Sequence, residues 1–301
     1  MHPYQAGGRR ATISWLRVPA SIAAWTREPN ALRGTPRFIA SKAHASLVAQ
    51  ELRLQRLVDA VIPAHPTDDR VEQLTALVKT FERPQILRRL VASIKRFYPE
   101  LPIVVVDDSR DPTHLPGVTT VTMPYDSGIA AGRNVGLSHV TTPYVLVLDD
   151  DFIFNRHTNL GAALALMDEH ARIDIMGGRV IDLPLCRPRR LPFGDVFPTA
   201  ARPVAPLGSR IGGLLVVDKV PTFFVARRER LALVGWDPAL KRMDHADFFT
   251  RAIGVLTTVF NPGRRCLHAR TPFDASYMSK RMDLEASAQA LQRRYGPDRS
   301  R

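Results

Sequence analysis

The chain has 301 residues, 45% hydrophobic and 24% charged, with a formal net charge of +13 from 42 Lys and Arg against 29 Asp and Glu. This make-up excludes a disordered or fibrous protein and leaves room for one large α/β domain or two small ones. Two cysteines, Cys186 and Cys266, exclude a disulfide framework and read as inert thiols in a reducing compartment.

Residues 1–70 are expected to form a basic N-terminal extension. The first forty carry Arg9, Arg10, Arg17, Arg27, Arg33 and Arg37 against the single acid Glu28, show no sustained period and read as irregular. No compact apolar run follows the first arginines, so a secretory signal is not expected, although an Arg-rich, acid-poor start is also what a transit peptide shows. Over 46–61 the residues Leu47, Val48, Leu52, Leu54, Leu57, Val58 and Val61 approximate one helical face, which Pro63 and Pro66 stop.

Residues 71–301 alternate short β-rich runs with helical segments, the pattern of a doubly wound α/β layer structure. Strands are predicted at 74–79, 102–106, 118–122 and 144–148, with helices at 84–97 and 128–140 between them. Further on, 159–170 is helical, 173–181 contains a strand, and the proline-rich 184–210 is a long loop of the kind that serves as a lid or acceptor insert. Strands at 213–217, 222–226, 255–260 and 266–268, a helix after Asp244 and a helix over 284–295 complete the chain. The longest apolar runs fall far short of the roughly 20 residues of a spanning helix.

The basic excess raises nucleic acid as a partner, since Lys and Arg neutralise phosphates. The arginines are scattered, however, and no finger, basic zipper or RNP-type aromatic pattern accompanies them. Nucleic acid is therefore not the expected partner; phosphate-bearing substrates or peripheral contact with an anionic membrane from the cytoplasmic side fit better.

In an open α/β sheet, ligands bind beyond the carboxyl ends of the strands. Three polar clusters fall there: Thr80-Phe81-Glu82-Arg83, Asp107-Asp108-Ser109 and Asp149-Asp150-Asp151. Adjacent carboxylates after a buried strand raise one another's pKa unless a cation or donors offset them, and a hard divalent ion shared with substrate phosphates is the simplest compensator. Solvated acidic turns are the alternative. Gly128-Ile-Ala-Ala-Gly-Arg-Asn-Val-Gly136 opens a helix, so that its backbone N–H groups and Arg133 can face a diphosphate; glycines so spaced serve close helix–strand packing equally well.

Together these segments, with Asp244-His245-Ala246-Asp247-Phe248-Phe249, resemble the GT-A glycosyltransferases of the family-2 type, most of all their β-1,4-N-acetylgalactosaminyltransferase-like branch. The resemblance covers about residues 74–270 and implies a Rossmann-like α/β/α sandwich with a mostly parallel central sheet. It implies metal-dependent, inverting transfer of a hexose or N-acetylhexosamine from a UDP-sugar to a glycan, lipid-linked glycan or protein. By the same resemblance Thr80, Arg83 and Asp108 contact the nucleotide, Arg133 and Asn134 approach the donor, and the acid triplet is the DxD motif. Asp149 then faces the ribose beside Asp150, while Asp151 and the late His268 hold Mn²⁺ or Mg²⁺. Asp247 matches the base that deprotonates the acceptor, with Trp236 and Asp244 on the acceptor side. Ala246 replaces the glutamate usual before that base, which removes an acceptor-binding carboxylate.

Other readings fit less well. The Val-Val-Val-Asp-Asp-Ser segment is similar to the start of a response-regulator receiver, but a strand–helix unit precedes it and a large α/β remainder follows. A haloacid-dehalogenase phosphatase needs Asp-x-Asp-x-Thr, and a nucleotidyltransferase needs a glycine-rich loop at the first strand; neither is present. The remaining alternative is a GT-A domain that binds a nucleotide or partner without turnover.

Overall fold

A computed structural model describes residues 35–61, 68–191 and 193–296; of the forty residues predicted to be irregular, 1–34 lie outside them. The chain builds one mixed sheet with helices on both faces. Strands β1 (Leu74–Thr80), β2 (Ile103–Asp107), β3 (Thr119–Thr122) and β4 (Tyr144–Asp149) form a parallel half. The other half contains β6 (Ile175–Asp182), β8 (Arg210–Ile211), β9 (Leu214–Val216), β10 (Phe224–Arg227) and β11 (Thr258–His268). The strand order is β3-β2-β1-β4-β10-β6-β11-β9-β8, with β10 antiparallel to both its neighbours and β6 parallel to β11. Two-residue strands β5 (Phe152–Ile153) and β7 (Arg187–Pro188) pair with β11 and β6.

Strands β1, β2 and β4 are buried almost throughout because both their faces are covered, which is why β2 and β4 read as apolar runs. On one face lie α2 (Pro84–Phe97) and α4 (Leu160–Glu169), on the other α3 (Ile129–Ser138) and α6 (Asp244–Ala252). Proline at the first turn of α2 fits the helix start, and the helix buries Leu87, Leu90, Val91 and Ile94 against the sheet. Each such side chain contributes about 1.5–3 kcal/mol on leaving water. In α3 the glycines serve close approach: a Cβ at Gly132 would lie 2.4 Å from Lys79 Cδ, and one at Gly136 would lie 2.2 Å from Leu77 Cδ1. The packing alternative for this glycine-punctuated segment therefore describes its positions 132 and 136.

Besides the two-residue strands β5, β7 and β8, the last two of which begin inside the predicted loop 184–210, four segments differ from the sequence expectation. The first helix, α1 (Thr35–Val61), begins eleven residues before the predicted 46, so part of the segment read as irregular is helical. The two strands predicted around Asn261-Pro262-Gly263 are one strand with a register shift between Asn261 and Arg265, a bulge that absorbs the turn-forming residues. Short helices α5 (Arg228–Ala232) and α7 (Ala275–Arg281) were not expected; α8 (Glu285–Tyr295) was. Among the described residues, no helix is long and apolar enough to cross a membrane.

Candidate functional site

Sheet register assembles the site. In the β1 ladders Thr80 pairs with Asp107 and Lys79 with Asp149, so the ends of three parallel strands lie side by side. In the other half His268 pairs with Asp182 on one side and with Phe152 on the other, which brings the end of β11 to the acid triplet.

Within the triplet each acid has a different environment. Asp150 is buried, accepts Thr80 Oγ1 at 2.7 Å and is clasped by the Arg83 guanidinium. Burial pushes its carboxyl up to about 6 against the pull of Arg83. Asp149, partly exposed, accepts Arg133 Nη2 at 2.9 Å, and Arg133 Nη1 bridges to Asp244 at 2.6 Å. Burial raises the Asp244 carboxyl, with Arg133 opposing.

Asp151 differs from both. Its Oδ2 accepts Arg83 Nη1 at 3.2 Å, whereas its Oδ1 is buried without a hydrogen-bond partner, 3.2 Å from His268 Nε2. Burial works against ionisation of Asp151, but His268 and Arg83 overcome it and hold the carboxyl below its usual range. His268 Nδ1 lies 2.6 Å from Asp182 Oδ1, which also accepts Arg189 Nη2 at 2.7 Å. Burial works against protonation of His268, but Asp151 and Asp182 overcome it and hold the imidazole above its usual range; a cation at Nε2 would displace the proton that faces Asp151, with Nδ1–H kept on Asp182. A divalent ion with octahedral ligands at about 2.0–2.1 Å sets adjacent ligand atoms roughly 3 Å apart, so this pair fits such an ion. Two protein ligands suit a cation that shares its remaining positions with phosphate oxygens and water. Among the described residues no group of three or more His, Cys, Asp or Glu side chains is placed to hold a metal.

At the other end of the crevice Asp108 is fully engaged. Lys79 Nζ bonds its Oδ1, and the N–H of Gly128 at the start of α3 donates to its Oδ2 at 3.0 Å. Phe81 and Tyr125 form an aromatic pair with centroids 5.4 Å apart, and Lys280 Nζ from α7 lies 4.9 and 5.4 Å from their rings. Tyr277 of α7 lies under the Arg83 guanidinium at 3.8 Å. Glu82, between these groups, holds a left-handed φ of 56°, a strained conformation for a side chain other than glycine.

Asp247 lies apart from the triplet in the ion-pair network and is completely buried in the first turn of α6. Its Oδ1 accepts Arg294 Nη1 at 2.6 Å and the Tyr295 hydroxyl at 2.8 Å, both from α8, and its Oδ2 accepts Arg251 Nε at 2.8 Å. Burial and the bond to Asp247 push the Tyr295 phenol up to about 12. Arg294 also bonds Asp237, and Tyr295 stacks on Phe197 at 4.3 Å. Asn134 clasps the backbone of Trp236, donating to its carbonyl at 2.6 Å and accepting its N–H at 2.8 Å. Trp236 is 3% exposed and packs on Phe248, so its ring belongs to the core and presents no open face.

The structure thus brings Thr80, Arg83, Asp150, Asp151 and His268 into one contact network and links Asp149, Arg133 and Asp244 in a second. Asp182, Arg189, Tyr125, Tyr277, Lys280, Arg294 and Tyr295 join these groups without having been singled out in the sequence. The Asp274 cap, whose side chain accepts Tyr277 N, was the available signal for α7. No local signal marks Asp182 or Arg294, whose partners lie 86 and 47 residues away.

Over 194 residues the chain is 38% identical to β-1,4 N-acetylgalactosaminyltransferase 1 of Rattus norvegicus, an alignment covering 61% of this chain and 36% of that protein. It is 34% identical to β-1,4 N-acetylgalactosaminyltransferase 2 of Mus musculus over 211 residues, covering 66% of this chain and 40% of that one. The chain therefore spans well under half the length of these relatives. Among solved structures, S. aureus TarS 1-349 superposes with a TM-score of 0.50 at 22% identity, covering 65% of this chain and 60% of that chain, a likeness of fold. The family model for glycosyl transferase family 2 matches residues 75–233, more than half of the chain, from β1 to the α5 segment; the chain belongs to that family.

Proposed function

We propose that this chain carries out metal-dependent, inverting transfer of an N-acetylhexosamine or hexose from a UDP-sugar to a hydroxyl of a glycan, lipid-linked glycan or protein. The observation that carries the reading is the buried Asp151 Oδ1, unbonded and 3.2 Å from His268 Nε2, at the carboxyl end of the sheet beside Arg83. The names of the aligned relatives favour N-acetylgalactosamine as the first sugar to test.

Asp151 and His268 would hold a divalent ion, whose charge would neutralise the diphosphate leaving group. Asp182 fixes the His268 ring so that Nε2 stays available. Phe81 and Tyr125 offer stacking surface for the nucleotide base, and Lys280 and Tyr277 close α7 over that end. Asp247 takes the proton of the acceptor hydroxyl as that oxygen bonds to the sugar and the bond to UDP breaks. For this step Arg294 and Tyr295 must first release its Oδ1.

A second reading, a family member that binds a nucleotide or partner without turnover, is favoured by the sealing of Asp247 and by Ala246. Release of UDP from UDP-N-acetylgalactosamine, UDP-N-acetylglucosamine, UDP-galactose and UDP-glucose, with Mn²⁺ or with EDTA, separates the two. Transfer requires Mn²⁺-dependent release from at least one donor. Donor binding with no release from any of the four, even with acceptor glycans present, selects the binding module.

A further inference from the structure

Helix α1 touches the rest of the protein through a small apolar patch, Val48 and Leu52 against Ile153, Leu183, Leu267 and Ala269. Beside that patch, α1, the start of α2 and residues 270–274 enclose an open cavity of about 640 Å³. Five arginines line it: Arg53 and Arg56 from α1, Arg83 and Arg89 from the β1–α2 side, and Arg270 after β11.

Arg83 is neutralised by Asp150 and Asp151. Both acids in the wall are engaged elsewhere: Glu82 accepts Arg110 N and pairs with Lys280, and Asp274 caps Tyr277 N. Among the described residues Arg53, Arg56, Arg89 and Arg270 form no ion pair. Arg89 donates through Nη2 to Ala269 O, while its Nε and the nearby Thr271 Oγ1 are buried without partners. A chain with 13 more bases than acids must leave some guanidiniums unpaired. What distinguishes these four is their convergence on one cavity, where like charges, and at Arg89 partial burial, raise the cost of leaving them without a counter-ion.

Guanidinium forks match phosphate oxygens in pairs, and the floor formed by Val48, Leu52 and Ile86 offers apolar surface to whatever carries the phosphate. We propose that this cavity is a phosphate-binding site beside the nucleotide crevice, with Arg83 in the wall the two share. Its ligand carries a phosphate group beside an apolar portion, whether as a dissolved phosphate ester or as the head group of a lipid. The proposal does not rest on the transferase reading, because Arg53, Arg56 and Arg89 take no part in the crevice.

The test uses the full chain, titrated calorimetrically with inorganic phosphate and floated with phosphatidylcholine vesicles with or without phosphatidic acid. Arg53 and Arg56 are exposed, so the double variant Arg53→Gln/Arg56→Gln leaves the fold intact. Expected is phosphate binding that falls at least tenfold in this variant and in Arg89→Gln, but is kept or strengthened in Asp151→Asn, which removes a negative charge beside Arg83. A head-group source adds retention on phosphatidic acid vesicles that the double variant loses; a dissolved source gives phosphate binding without retention. Absence of phosphate binding, its loss in Asp151→Asn instead, or retention that the double variant keeps would each overturn the proposal. Failure of the transferase reading leaves these outcomes unchanged.

Discussion

Asp151 and Asp247 are both almost wholly buried, and each is flanked by arginine, yet the structure treats them in opposite ways. Asp151 keeps one oxygen without a hydrogen bond, 3.2 Å from the Nε2 of an imidazole whose other nitrogen is held by Asp182. Asp247 has neither oxygen free: three donors from α6 and α8 satisfy both. A buried carboxylate oxygen left unpaired is costly, typically about 1–3 kcal/mol or more, so its persistence at Asp151 marks a position suited to a cation. The satisfied carboxylate at Asp247 is instead suited to holding α8 in place until a substrate competes for it. One site is poised; the other is closed.

The contrast is broken most severely by Asp247→Asn. Under the transferase reading it lowers transfer by about 10²–10⁴-fold, the usual worth of a general base, while UDP binding stays within twofold. Parallel transfer assays and UDP titrations check this, and equal loss of both properties would make Asp247 a structural residue only. Asp151→Asn acts on the other side of the comparison and is expected to weaken Mn²⁺-dependent UDP binding by at least about a hundredfold, read by calorimetry. Asp182→Asn leaves both Asp151 and His268 in place but frees the imidazole ring; Mn²⁺ affinity should fall about 10–100-fold, with Asp182→Glu recovering part of it. An unchanged Mn²⁺ affinity would remove Asp182 from the site. The smallest effect is expected for Tyr295→Phe, which deletes one donor to Asp247 worth about 1 kcal/mol. Transfer should rise by up to about fivefold as α8 releases more readily, and a fall would show that Tyr295 assists the reaction.

Much of this was legible in the sequence because the informative features are local. Apolar runs followed by polar clusters place β1, β2 and β4 within one or two residues, and the proline-led α2 has the bounds the sequence predicts. What escaped prediction is non-local or lacks a buried face. The first turns of α1 carry Phe38 and Ile39 exposed at 62% and 60%, so a search for a core-facing period could not find them. Helix α7 buries no residue at all. Asp182 stood one residue beyond the predicted strand, and its place beside His268 follows from the β6–β11 register, which no local pattern encodes. The closure of Asp247 by Arg294 and Tyr295 depends likewise on how α8 packs against α6.

The most direct test is calorimetric titration of UDP into the full chain with and without Mn²⁺, for the natural sequence, Asp151→Asn and Asp247→Asn. The account predicts UDP binding that requires Mn²⁺, is lost in Asp151→Asn and persists in Asp247→Asn. UDP binding that ignores Mn²⁺, or that survives in Asp151→Asn, would contradict it.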